Sequence, residues 1–166
     1  MAENEGPLFS NAEPNGEDTQ PQVGMVAQYV KDFSFENPNA PAVYSWAGQP
    51  RIDVQFNIAT QQVADDLHET ALKIEITAEG DEGVAFKLEL LYGGLFALRN
   101  VPADAVQPFV LGEAPRLMFP FARRVVADAV RDGGFPPLML DPIDFNGLYY
   151  TQLAQQGAMG EPAGQA

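Results

Sequence analysis

The chain contains no cysteine, which excludes disulfides, thiol catalysis and cysteine-ligated metals. Basic residues are scarce: 9 Lys and Arg stand against 23 Asp and Glu, for a net charge of −14 at pH 7. Nucleic-acid binding needs clustered cations, and so does adsorption to anionic lipid, so neither is expected. The natural electrostatic complement is a cationic protein surface, unless the acidity serves only solubility. No run of about 20 apolar residues occurs, so no helical span and no direct membrane insertion is expected. The first residues hold neither a basic nor an apolar segment, so no export signal is read.

Residues that carry chemistry are equally few. Serine occurs only at Ser10, Ser34 and Ser45, none in a Gly-x-Ser-x-Gly elbow, which argues against a serine hydrolase. Gly93-Gly94 and Gly133-Gly134 match no phosphate-binding pattern, so ATP is not an expected ligand. The only histidine is His68, near Asp65, Asp66 and Glu69. This group lacks metal-ligand spacing and reads as a surface histidine at a turn. Asp65 and Asp66 are adjacent, so on a strand they would point to opposite faces and not act as a pair. The expectation is a non-enzyme with no cofactor and no metal.

Residues 1–22 hold five acids, no Lys or Arg, and scattered prolines at Pro7, Pro14 and Pro21, the composition of a disordered acidic tail. Residues 157–166 read as a second disordered tail. One domain over 23–156 remains, with 46% hydrophobic content across the chain.

Within that domain four strands precede the helices. The first spans about Met25 to Glu36. The second, about Arg51 to Ala59, alternates Ile52, Val54, Phe56 and Ile58 with Arg51, Asp53, Gln55 and Asn57. A third covers about Leu67 to Ala78. Gly80-Asp81-Glu82-Gly83 then turns the chain into a fourth, about Val84 to Leu98, in which Gly93-Gly94 predict a bulge or bend. A short helix from Pro102 is expected to end near Gly112. A longer one follows from Arg116 to Asp132, with Phe121, Val125, Ala129 and Ala122, Val126, Val130 as its apolar stripe. Pro120 is either its first position or a kink, and Gly133-Gly134 a stop. Asp144 caps a last helix through about Gln156. Strands first and helices later predict an α+β fold, a four-stranded antiparallel sheet with helices packed on one face. Its open edges and uncovered face call for oligomerisation.

The densest information lies in Lys31-Asp32-Phe33-Ser34-Phe35-Glu36-Asn37-Pro38-Asn39-Ala40-Pro41. Strand alternation sends Tyr29, Phe33 and Phe35 to a core and Asp32, Ser34 and Glu36 to water or a partner. Pro38 and Pro41 then force an extended crossing. Nearby apolar and aromatic residues, Tyr44, Trp46, Ile52, Val54, Phe56 and Tyr149, are each core on the bland reading. Together they would make a long apolar groove for extended chains.

This segment resembles the bacterial protein-export chaperone family SecB. So do Gln62-Val63-Ala64-Asp65-Asp66, Gly93-Gly94-Leu95-Phe96, Leu117-Met118-Phe119-Pro120-Phe121-Ala122-Arg123 and the block from Gly134 to Phe145, in that order. The resemblance implies an α+β chain assembled as a dimer of dimers, a homotetramer, located in the cytoplasm. It also implies ATP-independent binding of unfolded precursor proteins and their delivery to the SecA motor. Residue by residue, it places SecA contacts at Asp32, Glu36 and Glu89, with Lys87 where the pattern has an apolar residue. Assembly falls on Phe86, Leu88, Leu90 and Tyr92. Client contacts fall on Tyr44, Trp46, Ile52, Val54, Phe56, Tyr149 and Leu153. The alternatives are a SecB-like chaperone dedicated to one client, such as an antitoxin, or a binder of small apolar ligands.

Overall fold

The computed structural model describes residues 19–160; the acidic stretch before them and the last residues lie outside that range. Alternating apolar and polar side chains produce four long strands: β1 (Gln22–Glu36), β2 (Arg51–Ala64), β3 (Leu67–Gly80) and β4 (Gly83–Arg99). They pair antiparallel in the order β1-β4-β3-β2. Asp65 and Asp66 form the tight turn between β2 and β3, with Asp66 at φ 59°, a left-handed value that Asp tolerates better than most residues. Adjacent in a turn, they are not a strand pair at all.

One face of the sheet carries the core. Ile76 lies between Val54 and Leu88 in register, Ile74 between Phe56 and Leu90, and Leu72 between Ile58 and Tyr92. Helices cover this face. Helix α1 (Ala103–Pro108) passes through a π turn (Phe109–Glu113) into α2 (Ala114–Asp132). Gly112 therefore does not end a helix, contrary to the sequence expectation. It is buried where the next helix crosses, and a Cβ there would lie 2.4 Å from Asn146 Oδ1. Thr70 Oγ1 donates to the Val110 carbonyl at 2.8 Å and ties the π turn to the sheet. Pro120 lies inside α2, where it removes one helical donor.

The buried side of α2 is Met118, Phe119, Ala122, Val126, Ala127 and Val130. The expected Ala122-Val126-Val130 row is thus core. Phe121 instead points outward, 48% exposed, and Val125 and Ala129 pack at the margin. Helix α3 (Phe145–Gly160) begins on buried Phe145, with the Gly147 N–H donating to Asp144 Oδ1 at 2.9 Å. It continues past Gln156, where the sequence reading ended it.

Two β-bulges lie in β1, between Met25 and Ala27 and between Val30 and Asp32. The second inserts Lys31 as an extra residue and reverses the alternation. Phe33 and Phe35 align with core Leu90 and Leu88, but Tyr29 aligns with Gly93 on the opposite face. The expectation that Tyr29, Phe33 and Phe35 share a face is corrected by this one residue. The bulge predicted at Gly93-Gly94 sits in the partner strand instead. These glycines clear space: a Cβ on Gly93 would meet Tyr29 Cε2 at 2.4 Å, and one on Gly94 would meet Met118 Sδ at 2.8 Å.

Candidate functional site

The segment after β1 is held by its asparagines. Asn39 Nδ2 donates to the Val84 carbonyl at 2.8 Å, and Asn37 Nδ2 to the Gly133 carbonyl at 3.1 Å. The Tyr44 hydroxyl donates to the same Gly133 carbonyl at 2.7 Å. Gly134, at φ 85°, needs the freedom glycine has there, and a Cβ would meet Tyr44 Cε1 at 2.9 Å. The crossing and the end of α2 are thereby joined, and a cleft of about 580 Å³ opens beside them. Its apolar lining includes Tyr44, Trp46, Ile52, Phe86, Phe135 and Leu138. Ring contacts continue from its wall into the core: Tyr44 to Phe135 at 5.7 Å, Phe135 to Phe86 at 5.0 Å, and Phe86 to Phe35 at 5.7 Å. Exposed Arg51, Glu79, Asp81 and Glu82 also line it, three acids to one cation. Such a cleft can take apolar side chains of an extended chain, while its excess of acids favours flanking cations.

Of the residues expected at a client groove, the structure brings Tyr44, Trp46 and Ile52 into this cleft. Val54 and Phe56 do not line it. They are half-buried against the core, and the Phe56 ring packs on Phe119 at 6.3 Å and Phe145 at 6.4 Å. Tyr149 and Leu153 lie on α3, Tyr149 against Tyr150 at 5.2 Å and Leu153 half exposed, also away from the cleft. Sequence reasoning missed Phe135, Pro137 and Leu138. The available signal was an apolar, proline-bearing segment directly after a helix stop.

The assembly row needs correction. Phe86, Leu88, Leu90 and Tyr92 are 3%, 1%, 1% and 7% exposed, beneath the chain's own helices. Side chains without free surface cannot themselves meet a second chain. Exposed apolar groups lie elsewhere: Val23, Val26 and Val30 on edge strand β1, and Leu117 and Phe121 on α2.

The opposite face of the sheet carries polar side chains. Here Asp32, Glu36 and Glu89 fall together: Asp32 faces Leu91, Ser34 faces Glu89, and Glu36 faces Lys87 across the β1–β4 ladder. All three acids are exposed. Glu75 on β3 stands directly opposite Glu89, an unfavourable like-charge pairing. Lys73 relieves it by pairing with Glu75 at 3.0 Å; this contact, with Glu89 and Asp32 further off, raises the lysine's pKa. Deeper on this face is Glu69. The Lys31 ammonium and then the Tyr29 hydroxyl hold its carboxyl below the usual range, against the effect of burial. His68 is not at a turn. It is half-buried within β3, opposite Gln62 and Phe96. Among the described residues no group of three or more His, Cys, Asp or Glu is placed to hold a metal, and no helix is long and apolar enough to cross a membrane.

The sequence model of the family described as preprotein translocase subunit SecB matches residues 16–156. The protein-export protein SecB of Sphingopyxis alaskensis is 62% identical over 158 residues, covering 93% of this chain and 92% of that protein. That of Zymomonas mobilis is 61% identical over 158 residues, covering 94% and 96%. Among solved structures, a SecB-like chaperone of Mycobacterium tuberculosis, in complex with a ChAD peptide from an antitoxin, is similar at TM-score 0.60. It is 12% identical, covers 73% of this chain and 90% of that one, and speaks to the fold alone. With a family match across most of its length and relatives alike over nearly all of it, the chain belongs to the SecB family of protein-export chaperones.

Proposed function

We propose that this export chaperone acts as a nucleotide-independent holdase in the cytoplasm, and that the cleft at Tyr44, Trp46 and Ile52 is its first client contact. The observation that carries this reading is one cleft that joins aromatic and aliphatic side chains with an excess of exposed acids. Val54, Phe56, Tyr149 and Leu153 would extend the client path only where α3 shifts away from the sheet. Burying one large apolar side chain is worth roughly 1.5–3 kcal/mol, so several weak contacts combine through avidity.

The acidic face at Asp32, Glu36 and Glu89 is proposed as the dock for SecA. Assembly as a dimer of dimers is proposed to use the β1 edge, which among the described residues pairs with β4 alone, and the outward Leu117-Phe121 side of α2. The test of the central claim is suppression of aggregation of an unfolded secretory precursor, without nucleotide. Wild type should suppress it, and a Trp46→Ala/Ile52→Asp variant with native circular dichroism should capture the precursor at least about tenfold more weakly. Equal capture by the two would move the client site elsewhere. The antitoxin-dedicated reading is favoured instead if capture is confined to a single partner.

A further inference from the structure

Among the described residues Glu69 is the one buried charged side chain, 8% exposed, and the export reading gives it no task. It sits on the sheet face that carries the acids, surrounded by donors. The Tyr29 hydroxyl donates to Oε2, Lys31 Nζ to Oε1 at 2.8 Å, and Gln61 Nε2 to Oε1 at 3.0 Å. Two of the donors come from β1, with the whole width of β4 between them and Glu69. Tyr29 can lie across β4 because Gly93 offers no side chain there.

Lys31 is the extra residue of the β1 bulge. Its ammonium reaches Glu69 on the same face to which the next residue, Asp32, points. A bulge thus places a cation and a docking acid side by side on one strand and one face. The ammonium pairs with Glu69 on β3 in a half-buried ion pair.

We propose that Glu69 is a positioning residue that masks Lys31, so that this cation is not added to Lys73 and Lys87 beside Asp32, Glu36 and Glu89 and the face stays net acidic toward a cationic partner. This role rests on the docking reading above. The test is titration of SecA against the full-length protein at low and moderate salt, with wild type, Glu69→Gln, Lys31→Gln, the double variant, Tyr29→Phe and Asp32→Asn. Glu69→Gln releases Lys31 and should weaken binding roughly fivefold or more at low salt, with the loss shrinking as salt rises. Lys31→Gln should bind at least as well as wild type, and the double variant should return to the wild-type range. Tyr29→Phe, which spares the ion pair, should bind as wild type. A role in folding alone would weaken Glu69→Gln and Lys31→Gln alike, and that outcome overturns the proposal. So does unchanged binding by Glu69→Gln while Asp32→Asn is impaired. If Asp32→Asn also binds normally, the docking face itself falls and this role with it. Should Glu69→Gln not fold, Lys31→Gln decides: weaker binding overturns the proposal, equal or tighter binding supports it.

Discussion

Glu69 couples the chain to pH at both ends of the range. Its carboxyl is held below the ordinary 4.5, so its contribution to stability is complete above 4.5 and is lost as pH falls through the lower folded value. Tyr29 is pushed up to about 12, by burial first and then by Glu69. Its contribution is complete below the ordinary 10.0 and is lost as pH rises through about 12. Thermal melts should show wild type losing stability below pH 4.5 more steeply than Glu69→Gln. Parallel curves would mean that the three donors do not act in solution. Leu88, 1% exposed, supplies a second residue-scale prediction. Leu88→Asp should lower chain stability by at least about 3 kcal/mol, through the lost apolar contacts and a buried unpaired charge. Denaturant titration checks this; a variant of native stability that merely dissociates would restore the row as an assembly surface.

At the scale of elements, bulges and glycines work as matched parts. The β1 bulge turns Tyr29 outward, and Gly93 on β4 leaves the space into which its ring lies. Gly93→Ala should displace that ring and cost about 1–3 kcal/mol by denaturant titration. Combined with Tyr29→Ala, it should cost clearly less than the sum of the two, because the clash partner is gone. Additive losses would show that Gly93 serves the strand for some other reason. The same complementarity joins the end of α2 to β1, where a Cβ on Gly133 would meet Phe35 Cζ at 2.5 Å.

At the scale of the molecule, the exposed apolar side chains on β1 (Val23, Val26, Val30) and on α2 (Leu117, Phe121) are those proposed above for assembly. Light scattering at micromolar concentration should report four chains. Phe121→Asp should leave the fold intact, since Phe121 is 48% exposed, and shift the population to dimers. A monomeric wild type would end the assembly proposal, and a tetrameric Phe121→Asp would remove α2 from it.

Period-two patterning in residues 51–58 and 67–78 was enough to determine that these are strands and which side chains of each share a face, because alternation depends only on neighbouring residues; the order β1-β4-β3-β2 was not legible there. Blocks of sequence in family order determined the fold class and the export role. Composition determined the acidic character and the lack of thiol chemistry. Four features were settled only by tertiary structure. One inserted residue, Lys31, changes which side of β1 faces the core, and no local pattern reveals an insertion whose reference is the opposite strand. Gly112 lies within a continuous helical run, and the glycine there answers to Asn146 of a distant helix, which leaves no room for a Cβ. Phe86, Leu88, Leu90 and Tyr92 lie inside because helices arriving later in the chain cover them. Glu69, ordinary in the sequence, becomes a three-donor site because β1, β2 and β3 meet around it across Gly93.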